Sequence, residues 1–253
     1  MPRTPRDRSK SGIYHIIMRG INRQSIFEDD EDSVKFLHTL QKYKDVCGYK
    51  LYAYCLMGNH LHLLLMEGNE PLEQVMRRVC GSYVLWYNRK YDRVGYLFQD
   101  RYKSEPVEDD TYFLTVLRYI LQNPIKAGLV TSIDEYMWSN YNEYIERTKM
   151  SDIDFVLEIF SKNRDNAVKS FIDYISKPNE DVCLDISEKR KITDKDAKII
   201  IKKLCNINNA IDMQKLDIRE RNEYLKELKD GYNLSIRQIE RLTGINRGVI
   251  QKI

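Results

Sequence analysis

His60 and His62 stand one residue apart in the stretch Asn59-His60-Leu61-His62-Leu63-Leu64-Leu65, and the chain has only four histidines. On a β-strand alternate side chains share a face, so both imidazoles point the same way, with Cα atoms about 6.5–7 Å apart. That spacing lets two rings converge on one cation. Leu61 then faces the opposite, apolar layer. Two histidines in an apolar strand are also compatible with plain packing, each ring nitrogen satisfied by a neighbour. A metal site needs a third ligand and a reason for the metal.

A second set of reactive groups lies in Leu117-Arg118-Tyr119-Ile120-Leu121-Gln122-Asn123-Pro124. Tyr119 and Asn123 are four residues apart, so on a helix they share a face about one turn apart. A tyrosine hydroxyl can be a nucleophile, and an amide oxygen suits a hard divalent cation. Among 18 tyrosines, however, a helical one is usually a core residue, and Asn before Pro commonly ends a helix. No spacing rule brings this helix to the histidine strand.

The elements that must position these groups follow from the apolar pattern. Residues 1–12 are rich in Pro, Arg, Ser and Lys and read as extended. Ile13-Tyr14-His15-Ile16-Ile17-Met18 reads as a strand, and Arg19-Gly20-Ile21-Asn22-Arg23 as a basic turn. Asp29, Asp30 or Asp32 caps a helix with Val34, Leu37, Leu40 and Tyr43 on one face, and Gly48 ends it. A second strand over residues 49–56 leads through Met57-Gly58-Asn59 into the histidine strand. Pro71 opens a second helix with Val75, Val79, Tyr83 and Trp86 on its apolar face. Residues 95–108 read as a loop and strand with basic and aromatic residues together. A third helix, about 109–122, is expected to stop at Asn123-Pro124. This order predicts an α+β domain over residues 1–145, a sheet covered by helices.

The length of 253 residues suffices for two domains, and 42% hydrophobic content argues for a folded protein. No run of about 18 apolar residues occurs, which predicts no membrane partner. Met1-Pro2-Arg3-Thr4-Pro5-Arg6 lacks the apolar core of a signal peptide. Cys47, Cys55, Cys80, Cys183 and Cys205 are odd in number and widely spaced, which fits reduced thiols in a cytoplasm.

The net charge of +3 is unevenly distributed. Residues 1–130 hold 19 basic against 16 acidic side chains, residues 131–188 hold 6 against 13, and residues 189–253 hold 16 against 9. We therefore expect an acidic helical segment and linker over 146–188 and a basic helical domain over 189–253, suited to a polyanion. The basic domain ends in a Ser235-capped helix from Ile236 to Leu242, a Thr243-Gly244-Ile245 turn and a helix from Asn246. That is helix-turn-helix spacing, with a plain helical hairpin as the bland alternative. Arg237, Asn246 and Arg247 are its candidate DNA contacts, and duplex DNA its candidate partner.

Four ordered stretches carry a resemblance. They are Tyr14-His15-Ile16 through Arg19-Gly20, Ala53 through Leu65, Phe98-Gln99-Asp100-Arg101-Tyr102-Lys103-Ser104, and Arg118 through Leu129. In this order and spacing residues 13–130 resemble the single-tyrosine HUH transposases of the IS200/IS605 type, above all the REP-associated tyrosine transposase branch. Gly58 departs from the family, which often has proline there. The region after about 150 matches weakly, and its helix-turn-helix looks like the DNA-binding domain of bacterial replication initiators.

The resemblance implies a ferredoxin-like, RRM-type antiparallel sheet with helices, the HUH endonuclease fold. It implies His60, His62 and Asn123 as ligands of Mg²⁺ or Mn²⁺, with Tyr119 attacking single-stranded DNA to form a 5′-phosphotyrosine. Hairpin or palindromic DNA is the implied substrate, the protein acting as monomer or homodimer in a bacterial, nucleoid-associated setting. Arg19, Arg23, Arg101 and Lys103 lie beside aromatic residues, the mixture that single-strand binding uses. Two other functions stay open: a domesticated, non-catalytic DNA-binding regulator acting on palindromes, and an HUH initiator of replication or transfer.

Overall fold

Apolar runs such as Leu63-Leu64-Leu65 become strands that are buried on both faces. The sheet consists of β1 (Ile13–Arg19), β2 (Lys50–Met57), β3 (His60–Met66) and β4 (Lys103–Pro106). Its order is β2-β3-β1-β4, with every neighbouring pair antiparallel. These elements come from a computed structural model that describes residues 6–146, 150–185, 194–232 and 234–253. The first five residues of the expected extended segment, the end of the expected linker and the 188/189 boundary lie outside the described residues.

Helices α1 (Asp30–Cys47) and α2 (Leu72–Lys90) cover one face, where Ile16, Met18, Leu61 and Leu63 meet Phe36, Leu40, Val79 and Tyr83. Of the three candidate caps, Asp29 is the one used. Its side chain accepts from Asp32 N (3.1 Å), and Asp32 returns a bond to Asp29 N (3.3 Å). Gly48 ends α1 at φ 68°, a conformation open to glycine at little cost.

The other face is covered by α3 (Asp110–Lys126), which buries Val116, Leu117 and Ile120 against Ala53, Cys55 and Leu64. This helix corrects an expectation: it continues through Pro124 to Lys126. A proline deprives only the Ile120 carbonyl of its helical partner. The last turn is then held by Ala127 N to Asn123 O and Leu129 N to Pro124 O, both 2.9 Å. Asn123 and Tyr119 therefore sit inside one continuous helix.

The outer edge of β2 is closed by irregular chain and side chains, which protects a strand edge that would otherwise template aggregation. Leu56 N donates to Trp138 O (2.8 Å), and the Tyr136 hydroxyl donates to Leu56 O (2.7 Å). Asn140, wholly buried, accepts from Tyr54 N (3.0 Å) and donates to Tyr52 O (2.8 Å) and Ser151 Oγ (3.0 Å). Asn140→Ala would leave buried backbone groups without these partners. It should cost about 2–3 kcal/mol, read as a lower urea midpoint with an unchanged slope.

Three further helices, α4 (Tyr141–Glu146), α5 (Ile153–Phe160) and α6 (Arg164–Ser176), extend the α3 side. Tyr144 stacks on Phe171 with ring centroids 4.3 Å apart, and Asp152 exchanges bonds with Leu51 of β2. The following residues run back along α3. Arg118 forms a two-pronged ion pair with Asp181 (2.7 and 2.9 Å), Asn179 donates to Gln122 Oε1 (2.7 Å), and Leu184 N donates to Glu105 (3.1 Å).

Met1–Ile186 and Ser187–Ile253 form separate compact units. The second contains α7 (Asp194–Cys205), α8 (Ile218–Asp230), α9 (Ile236–Thr243) and α10 (Arg247–Lys252) around Ile201, Met213, Leu228, Ile239 and Ile250. Gly244 stands between α9 and α10 at φ 71°. All five cysteines are free, and no described helix is long and apolar enough to cross a membrane.

Candidate active site

Sheet register decides which groups share a face. His60 stands opposite Arg19, His62 opposite Ile17, and His15 opposite Leu64. His15, Ile17 and Arg19 therefore lie on the same face as His60 and His62, the face that α3 covers. The rings of His60 and His62 are 5.3 Å apart between centroids. His62 is fully buried; His60 is half-buried, with Nδ1 2.7 Å from Asn59 Oδ1.

Tyr119 reaches this face from α3. Its ring lies edge-on to His62 at 5.8 Å and to His15 at 5.9 Å between centroids. The helix and the histidine strand do meet. Tyr119 is only 7% exposed, and burial raises its pKa, with a hydrogen-bonded Asp185 carboxylate adding to the rise. The phenol is thus held neutral here. The ammonium of Lys126 lies 5.2 Å from the ring centroid, positive charge that a phenolate would need nearby. Asn123, half-buried one turn further on, donates its amide nitrogen to the Tyr119 carbonyl (3.1 Å). That bond leaves the amide oxygen as the part of Asn123 that could meet a cation.

Two observations on His62 fit a donor to a divalent cation. Burial, followed by the neighbouring His15 and His60, pushes the His62 pKa well below its ordinary value, which keeps the ring in the neutral, ligating form. Its Nε2 is buried and meets no hydrogen-bond partner among the described residues. No group of three His, Cys, Asp or Glu suited to a metal occurs among the described residues, and Asn123 on α3 offers an amide oxygen as a donor of another kind.

The expected DNA contacts fall in different places. Arg19 is buried beside His60, and Lys103 of β4, opposite Ile17, shares the face of the histidine pair while remaining exposed. Exposed Arg101 and Lys103 line a depression with Arg6, Asp100 and Tyr102, and the Arg6 guanidinium lies 3.7 Å over the Tyr102 ring. Arg23 is exposed in the turn after β1, at φ 63°. Arg237, Asn246 and Arg247 are exposed in the second unit, where the Asn246 oxygen accepts from Gly248 N (2.8 Å) as the cap of α10.

Four residues at the site escaped sequence reasoning about chemistry: His15, Glu105, Lys126 and Asp185. Period-two alternation puts His15 on one face with Arg19, but only the β1–β3 register sets it beside His62. Asp185 carries no local signal, because its stretch reads as linker.

Residues 8–123 match the model of a family described as "Transposase IS200 like". A solved structure of a REP-associated tyrosine transposase bound to a REP hairpin is similar in fold. It aligns with TM-score 0.50 and 19% identity over 58% of this chain and 87% of that one. A crystal structure of a candidate transposase from Deinococcus radiodurans R1 aligns with TM-score 0.34 and 19% identity, covering 50% and 97%. No curated protein matches the chain.

Proposed function

Residues 8–123 belong to the IS200-like transposase family, and from that premise we propose that the protein cleaves and rejoins single-stranded, hairpin-containing DNA through Tyr119. The observation that carries this reading is the approach of Tyr119 to His62, with Asn123 one turn away on the same helix. The similar REP-associated transposase is bound to a REP hairpin, and a hairpin is the substrate proposed here.

In the proposed step the Tyr119 oxygen attacks the scissile phosphorus and the bond from phosphorus to the 3′-oxygen breaks. The product is a 5′-phosphotyrosine and a free 3′-hydroxyl. The phenolic proton has the hydrogen-bonded Asp185 carboxylate as an acceptor in contact, and the leaving oxygen takes up a proton. His60, His62 and Asn123 would hold Mg²⁺ or Mn²⁺, which when bound supplies Lewis-acid polarisation of the scissile phosphate. Arg19 beside His60 and Lys126 beside Tyr119 offset phosphate and phenolate charge. Arg23, Arg101 and Lys103, with Tyr102 among them, give a path of charge and stacking for the single strand. The phosphotyrosine keeps the bond energy for rejoining, so no nucleotide cofactor is required.

For the second unit we propose duplex DNA binding through α9 and α10, with Arg237, Asn246 and Arg247 on the exposed side. Its charge of +7 supports this, 16 basic against 9 acidic residues over 189–253. Arg237→Ala with Arg247→Ala should weaken duplex binding and reduce the salt slope by about one to two units. An unchanged slope would remove the assignment.

The whole reading is tested by incubating the protein with hairpin single strands and Mn²⁺, then looking for a covalent adduct on a denaturing gel. An adduct lost on chelation is expected. Hairpin binding with no adduct under any divalent metal would favour the non-catalytic regulator instead.

A further inference from the structure

We propose that His15 is a positioning residue: it holds His62 in the tautomer whose Nε2 lone pair faces the cation, and Glu105 holds His15 in turn. The proposal rests on the metal-site reading above and adds to it the group that selects the ligating nitrogen.

The geometry starts from the register. His15 on β1 is opposite Leu64, so it is a diagonal neighbour of His62 on the same face. The two rings stack at 22° with centroids 5.4 Å apart, and His15 Nε2 lies 3.1 Å from His62 Nδ1. Both side chains are wholly buried. Between two neutral imidazoles one of these nitrogens carries the hydrogen and the other accepts it. The contact alone allows either direction.

Glu105 breaks the tie. On β4 it stands opposite His15, and its Oε2 lies 3.7 Å from His15 Nδ1, longer than a full hydrogen bond but a clear electrostatic contact. The Glu105 carboxylate is itself held by Leu184 N (3.1 Å). A carboxylate only accepts, so it favours the hydrogen on His15 Nδ1 and leaves His15 Nε2 bare. His15 then accepts from His62 Nδ1–H, and His62 Nε2 is left with a lone pair.

The reverse arrangement has two faults. It turns a His15 lone pair towards the carboxylate, and it buries a His62 Nε2–H with no hydrogen-bond acceptor among the described residues, whereas the favoured arrangement aims its own unbonded N–H, on His15 Nδ1, at the Glu105 carboxylate 3.7 Å away. The opposite neighbour on β2, Cys55, turns its thiol to Met57 Sδ (3.6 Å). An acceptor behind a ligating histidine is the arrangement that fixes its ring and raises its basicity as a donor.

The test uses the full chain without added metal and then with Mn²⁺. Long-range proton–nitrogen NMR of the four histidine rings, assigned by single substitutions, should report His62 as the Nδ1–H tautomer. In His15→Phe that signature should shift towards Nε2–H, and calorimetry should show Mn²⁺ affinity weakened about 10- to 100-fold. His15→Gln, whose side-chain carbonyl can accept the same hydrogen, should recover most of the affinity. A purely structural role predicts no such recovery. A parent protein whose His62 reads as Nε2–H overturns the proposal, and so does His15→Phe with unchanged Mn²⁺ affinity. The NMR result on the parent protein decides the matter even if His15→Phe fails to fold. If the parent protein binds no Mn²⁺, or binds it unaffected by His60→Ala, the metal-site reading itself fails, a different outcome from the failure of His15 alone.

Discussion

Tyr119→Phe should abolish the covalent protein–DNA adduct, a loss on the order of 10³-fold or more, while hairpin affinity stays within a few-fold of the parent. The substitution removes one oxygen and keeps the ring. The edge contacts of that ring with His62 and His15 survive, as does its place in the core beneath the sheet. The hydrogen bond to Asp185 is lost, but that bond holds the hydroxyl and not the helix. Thermal unfolding should therefore shift little. The readout is a denaturing gel of labelled hairpin DNA beside a binding curve for the same DNA. An adduct of undiminished yield in Tyr119→Phe would remove the nucleophile assignment, whatever its effect on binding.

His60→Ala is the second large effect, about 10²- to 10³-fold in cleavage rate with binding retained. His60 is half-buried at the start of β3, so truncation leaves little void and removes chiefly its ring contact with His62. His62→Ala should remove cleavage as well, but it also empties a fully buried position between β1 and β2 and should lower stability by a few kcal/mol. The pair separates chemistry from folding. Raising Mn²⁺ concentration should partly rescue a variant that keeps two of the three donors. A His60→Ala protein that cleaves at the parent rate and binds Mn²⁺ with parent affinity would take the metal away from this face.

The two substitutions also show which parts of the site are local. Tyr119 and Asn123 are four apart in a helix, so their shared face needs no tertiary information. The same holds for His60 and His62 on a strand. The expected end of that helix at Pro124 was the local rule that failed. Proline removes one donor near the final turn, and packing of Ile120, Leu121 and Pro124 on the α3 side keeps the turn in place.

What the chain determines by itself is therefore periodic and short in range. Strand alternation, the Asp29 cap, the Gly48 stop and the two pairs of candidate site residues all follow from neighbours within about one helical turn. Tertiary structure decided the rest. The antiparallel register of β1 on β3 set His15 and Arg19 beside the histidine pair, and β4 brought Glu105 behind His15. Packing of α3 carried Tyr119 to His62, and the stretch after α6 returned Asp185 to the phenol. Register and packing depend on which distant apolar faces bury each other, and periodicity within one segment says which face is apolar without saying what will cover it.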